Sequence, residues 1–217
     1  MFSRIFNYDN PVFRAINKIG SIWVLNILWV LCSIPIVTMG ASTTALLYSC
    51  MKLQKDEGYP TKNFFKSFRE NFGQATGIFL LYAVVGALLM GDLIYWNQMD
   101  GSNMKIVWAV TIALLIPYVL SLLYVFAVQS KFVNTVKRTI HYSFILSIKH
   151  FKYTFPMFVI VAFMVYINVM TVLVVNYFTI GIGIGITAYI LSLYYAKIFE
   201  NYIKTEDTEE IETENLI

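Results

Sequence analysis

Four long apolar runs, over residues 75–95, 106–128, 155–175 and 178–199, constrain this chain more than any other feature. The hydrocarbon core of a bilayer is about 30 Å thick, and a helix rising about 1.5 Å per residue needs about 20 apolar residues to cross it. A soluble fold cannot hide that much apolar surface from water. Composition agrees: 58% of the 217 residues are hydrophobic and 13% charged, about half the charge usual for a soluble domain. The expected fold class is all-α, a polytopic helical membrane protein.

A fifth apolar region, residues 19–51, is interrupted by Pro35 and Gly40. The spans are therefore placed near 19–35, 40–53, 75–95, 106–128, 155–175 and 178–199, five to six helices in one transmembrane domain over residues 1–204. A very short turn near Asn176 joins the last two. The segment before residue 19 is too long, and the apolar stretch too extended, for a cleaved signal peptide. Residues 205–217 hold six acidic side chains between Glu206 and Glu214 and show no apolar period, so a disordered tail is expected there.

Orientation follows from the Lys/Arg bias of the links between spans. Of the 16 basic residues, all but Lys105 fall on one side if the link near residues 97–105 is placed outside. Both termini are then cytoplasmic. This forces residues 19–51 to cross an even number of times, yet two full crossings need about 40 residues. The region is either a short packed hairpin or a re-entrant element with Pro35 to Gly40 at its tip. Proline ends the first arm by removing a backbone donor, and Ser42, Thr43 and Thr44 can cap the second. Asn10 and Pro11 read as a helix start.

Between the spans, Lys62 to Phe72 reads as an amphipathic helix. Phe64, Phe65, Phe68 and Phe72 form one face, with Lys62, Lys66 and Arg69 mostly opposite. Such a helix floats on an anionic leaflet or docks on a partner. His141 to Phe155 has the same character. Phe64, Ser67 and Arg69 recur as Phe144, Ser147 and Lys149 at a constant offset, a hint of two related units against the alternative of chance composition.

Chemistry is sparse. Asp92 is the one ionisable candidate within a span, either a wet aspartate at the outer end or an ion or substrate contact. Asn26, Asn168 and Asn176 can hydrogen-bond between helices. The small residues Gly73, Gly77, Ala83, Ala87 and Gly91, and the pair Gly181 and Gly185, suit close helix packing, by default within the subunit. Trp96, Trp108, Tyr95, Tyr177 and Tyr202 fall where aromatic belts lie. Cys32 and Cys50 make no disulfide framework, and His141 and His150 no metal motif. With no HExxH, G-x-S-x-G or Walker A pattern, a non-enzymatic protein without cofactor or metal is expected. The basic links are explained by topology and give no argument for nucleic acid; the lipid bilayer is the implied partner.

The stretch LNILWVLCSIPIVTMGASTTALLY, Leu25 to Tyr48, and its continuation through KLQKDEG and KNFFKSFRENFGQA, resembles the YesL family of bacterial multi-pass membrane proteins, a family of unknown function. Asn26, Trp29, Pro35, Thr38, Gly40 and Thr44 fall on the recurrent pattern. Where the family often has proline after the glycine, this chain has Ala41, which implies a less rigid tip. The resemblance implies an accessory or regulatory role beside an ABC-type carbohydrate importer, with its permease, ATPase and sugar-binding protein as partners. The permease loop that meets an ATPase, a glycine followed about nine residues later by Ile-x-Leu-Pro, is not found here. A self-contained small-solute transporter or channel, and a sensor of sugar uptake with the acidic tail as output, are the alternatives.

Overall fold

The computed structural model describes residues 11–97, 102–170 and 179–214. Its elements, in chain order, are α1 (Pro11–Cys32), a 3₁₀ turn (Ile36–Thr38), α2 (Met39–Gln54), α3 (Pro60–Asn97), α4 (Ser102–Lys131), α5 (Val136–Lys149), α6 (Phe151–Met170), a π-helical turn (Thr179–Gly183) and α7 (Ile184–Glu214). The fold is all-α among the described residues. Among those residues five stretches are long and apolar enough to cross a membrane: Arg14–Cys32, Pro60–Trp96, Lys105–Lys131, Phe151–Met170 and Ile180–Tyr202.

Pro11 opens α1, as a proline in the first turn should; Asn10 lies outside the described residues, as do Asn176 and Tyr177. Pro35 follows the end of α1, with extended backbone at φ −72° and ψ 107°. The chain then returns as α2. Both arms end on the same side, because Lys18 Nζ near the start of α1 pairs with Asp56 Oδ1 just past α2 at 3.1 Å. At 16 residues, α2 is about 24 Å long, short of the core thickness. Its tip rests against Ala75 and Phe79 of α3, and α3 runs on from there to Asn97, about another 27 Å. The hairpin thus reaches only part of the way along α3.

Three expectations need correction. Ser42 and Thr44 do not cap α2. The 3₁₀ turn starts the helix at Met39, so these hydroxyls fall inside it and bond back to the carbonyls of Thr38 (3.1 Å) and Gly40 (2.9 Å), the usual outlet for such residues within a helix. Residues 62–72 form the expected helix leading into a span, but it joins that span without a break instead of lying apart on the surface. With Pro60 at the first position and no breaker after it, they are the first turns of the 38-residue α3. Finally, the acidic stretch from Glu206 to Glu214 continues α7. Glutamate is a good helix former, and extending an existing helix avoids the cost of nucleation.

The core mixes apolar side chains such as Tyr124, Phe64 and Leu25 with polar ones, and large apolar side chains also cover the outside. Its buried positions include Asn26, Ser42, Ser67, Ser121, Thr139 and Ser143, while Phe155, Phe163, Leu88, Ile106 and Trp23 are exposed. On α5 the stripe Thr139, Ser143 and Ser147 faces inward, and Tyr142, Ile145 and Ile148 face outward. In lipid, apolar burial drives nothing, so small and polar side chains share the helix contacts with the large apolar ones. The pattern is that of a chain whose solvent is hydrocarbon.

Candidate functional site

The residues of the predicted hairpin element converge on a set of interhelical contacts. Asn26 lies fully buried in the middle of α1. Its amide Nδ2 donates to the carbonyls of Ile180 (2.7 Å) and Gly181 (2.8 Å). Its Oδ1 accepts from the backbone N–H of Gly185 at 2.7 Å. The π turn displaces carbonyls from ordinary helical pairing, and one asparagine satisfies two of them and a following amide. The close approach needs glycine, since a Cβ at Gly185 would lie 2.9 Å from both Asn26 Cβ and the Ile22 carbonyl oxygen.

Three residues along, Trp29 Nε1 donates to Thr43 Oγ1 at 3.1 Å and ties the two arms together. Thr38 Oγ1 donates to the Cys32 (2.5 Å) and Pro35 (2.6 Å) carbonyls, closing the tip. Gly40 meets α3 so closely that a Cβ would overlap the Ala75 carbonyl oxygen and sit 2.6 Å from Phe79 Cβ. Thr44 bonds only within its own helix. The hairpin residues therefore bond and pack within the protein itself.

Periodicity does not reveal a second polar set, which joins α3, α4, α5 and α6. Gln129 Nε2 donates to Asn71 Oδ1 at 2.9 Å, and Thr139 Oγ1 to Gln129 Oε1 at 3.4 Å. Tyr82 and Ser121 share a hydroxyl bond at 2.5 Å, and Tyr124 and Thr154 one at 2.8 Å. Gln54 reaches Ser192 across α2 and α7. The available signal was amide side chains in or beside apolar runs, Asn71, Gln74 and Gln129; their pairing is not local and needs the fold.

The face expected to be offered to a partner or to lipid is divided. Phe64 is fully buried and Phe68 packs on the core, the two rings stacked at 6.2 Å. Phe65 and Phe72 are exposed, as are Lys62, Lys66 and Arg69. The physical reason is α2, which lies along this part of α3 and takes the Phe64 face. Asp92 is exposed on α3, one turn before Trp96. The glycines also split. Gly73, Gly77, Gly91 and Gly181 have nothing within 4 Å of where a Cβ would stand, and Ala83 and Ala87 are exposed. The default of packing within the subunit fails for these α3 positions and holds for Gly185. Gly86, which the sequence does not single out, is the α3 glycine that packs, against the Tyr118 ring.

Electrostatics concentrate at the basic end. In the α2–α3 link Asp56 and Gly58 adopt positive φ (54° and 69°), and Lys52 pairs with Glu57. That hydrogen bond holds the Glu57 carboxyl below its usual range. His150, between α5 and α6, lies 3.0 Å from the Tyr202 hydroxyl, and burial, then the Lys149 charge, push its pKa down. Among the described residues no three His, Cys, Asp or Glu side chains stand where they could hold a metal ion.

The long apolar helices and their exposed apolar faces define a multi-pass helical membrane protein. Within that class, the family described as "Protein of unknown function, DUF624" matches residues 22–93, which run from α1 through the hairpin to near the end of α3. No curated protein and no solved structure matches the chain.

Proposed function

We propose that this is a non-enzymatic membrane subunit that packs beside a larger membrane partner, an accessory or regulatory component of an ABC-type carbohydrate importer. The observation that carries the packing reading is the stripe Gly73, Gly77, Ala87 and Gly91. At about 100° per residue these fall within a sector of about 80° on α3, and all are exposed. Small residues on a lipid-facing helix let another helix approach closely. The importer as partner rests on the resemblance to the YesL family. In this reading the basic end faces the cytoplasm, where Phe65, Phe72 and the charges of Lys62, Lys66 and Arg69 complete the contact.

The test is a tagged pull-down of the full chain from native membranes in mild detergent, read by mass spectrometry. Recovery of a permease with its ATPase or sugar-binding protein is expected, and Gly77→Leu with Phe65→Glu should abolish it without unfolding the chain, since neither position is buried. Recovery of the chain alone would reject the accessory role and turn attention to solute flux in liposomes.

A further inference from the structure

A cavity of about 560 Å³ opens between α3, α4 and α5, within the size range of small-ligand sites. Leu81 and Val85 of α3, Pro117 of α4, and Ile140 and Phe144 of α5 form its walls. Its hydroxyls are already engaged: Tyr82 with Ser121, and Tyr118 donating to the Tyr82 carbonyl at 2.9 Å. They therefore offer apolar ring surface more than free donors. Lys137 and His141 also line the cavity, and no carboxylate does. Both belong to α5, which starts at the basic end; Lys137 stands in its first turn, and Ile140 and Phe144 follow one and two turns further on. Leu81, on the opposite wall, and Leu88, two turns beyond it, are both exposed, so the apolar wall continues into the lipid-facing surface of α3.

A cationic end that grades into an apolar trough continuous with the hydrocarbon matches an amphiphile with an anionic head. A neutral sugar would leave the apolar walls unused, and a free anion would leave them wet. We propose that this cavity is a binding site for one anionic phospholipid of the leaflet on the basic side. Its phosphate rests on Lys137 and His141, and one acyl chain runs along Leu81, Val85 and Pro117. Basic pockets between membrane helices take anionic head groups in this way. The site is separate from the exposed α3 stripe and does not depend on the importer reading.

The test uses the purified full chain in mild detergent, titrated with phosphatidylglycerol or phosphatidylcholine and read by native mass spectrometry. Phosphatidylglycerol adducts should exceed phosphatidylcholine adducts. Lys137→Ala with His141→Gln should remove that preference, by about five-fold for the lysine charge. Leu81→Ser should weaken both lipids, and Lys105→Ala, at the other end of α4, should change neither. All four side chains are exposed, so folding is retained, and far-ultraviolet circular dichroism verifies this. Equal binding of the two lipids, or a preference that survives the double substitution, would overturn the proposal. So would displacement of the lipid by inorganic phosphate with no effect of Leu81→Ser, which would mark a free-anion site.

Discussion

Helices α2 and α6 are opposites. In α2, 11 of 16 residues are buried, and they include Gly40, Ser42, Thr44 and Ser49. In α6, a 20-residue helix dominated by Phe, Val, Met and Ile, only Thr154 and Met157 are buried. By the logic of a soluble protein the more apolar helix should be central. Here it is peripheral, and the helix of small and hydroxyl-bearing residues is the hub around which α1, α3, α4 and α7 gather. The difference teaches what packs in a bilayer. A phenylalanine is as comfortable against lipid as against protein, whereas a small residue gains by letting two backbones meet, and a hydroxyl by finding a partner.

The sharpest way to break this comparison is to add one methyl group at each kind of site. Gly40→Ala places a Cβ into the Ala75 backbone, which cannot move aside as a flexible side chain would. The expected cost is about 3 kcal/mol, the upper part of the range for overpacking, read as a fall in the thermal unfolding midpoint in detergent. Gly77→Ala, into open space, should leave that midpoint unchanged or raise it slightly through helix propensity. Equal effects at the two glycines would refute the division into a packed hub and a lipid-facing rim.

Next in size is Asn26→Leu. It keeps the side-chain volume close but strands the Ile180 and Gly181 carbonyls and the Gly185 amide. Unsatisfied buried groups cost about 1–3 kcal/mol, and the π turn and the first turn of α7 should exchange faster than in the wild type in hydrogen-exchange measurements. Retained protection at residues 180–185 would show that the turn does not rely on α1. A smaller loss, roughly 1 kcal/mol, is expected for Gln129→Leu, which breaks the link from Asn71 to Thr139. Its effect should be non-additive with Asn71→Leu in a double-mutant cycle.

The contrast also explains what could be read in advance. Hydropathy finds a helix by its lipid-facing side, so α3, α4, α6 and the apolar part of α7 were visible as runs. It placed α2 inside the apolar region 19–51 without resolving it from α1, since 16 residues are short of a full span; Pro35 and the parity of the basic links exposed the hairpin. The Phe64 repeat read as one face, which the structure divides: α2 covers Phe64, while Phe65 and Phe72 stay exposed. Small-residue spacing likewise identified Gly77 and Gly185 alike, although one faces outward and the other presses on Asn26. Such distinctions depend on which helix lies opposite, and Asn26 and Gly185 are joined across 159 positions, far beyond any local pattern.

The smallest expected effect lies outside the bilayer, at the link that leads from the hub into α3. Because the Lys52 hydrogen bond depresses the Glu57 carboxyl in the folded chain, the folded pKa lies below the unfolded one. The pair's contribution is therefore complete above the ordinary carboxylate pKa and is lost as pH falls through the lowered value. Comparing wild type with Glu57→Gln from about pH 6 down to about pH 3 should show a constant offset in unfolding midpoint at the upper end that closes toward the lower end. The pair is solvent-exposed and screened, so the offset should be smaller than that of any hub substitution and should shrink in high salt. No offset at any pH would mean that Glu57 acts through its backbone, whose carbonyl accepts from Asn63 Nδ2 at 2.8 Å and is retained in Glu57→Gln, and that the turn geometry at Asp56 and Gly58, not the charge, holds the link in place.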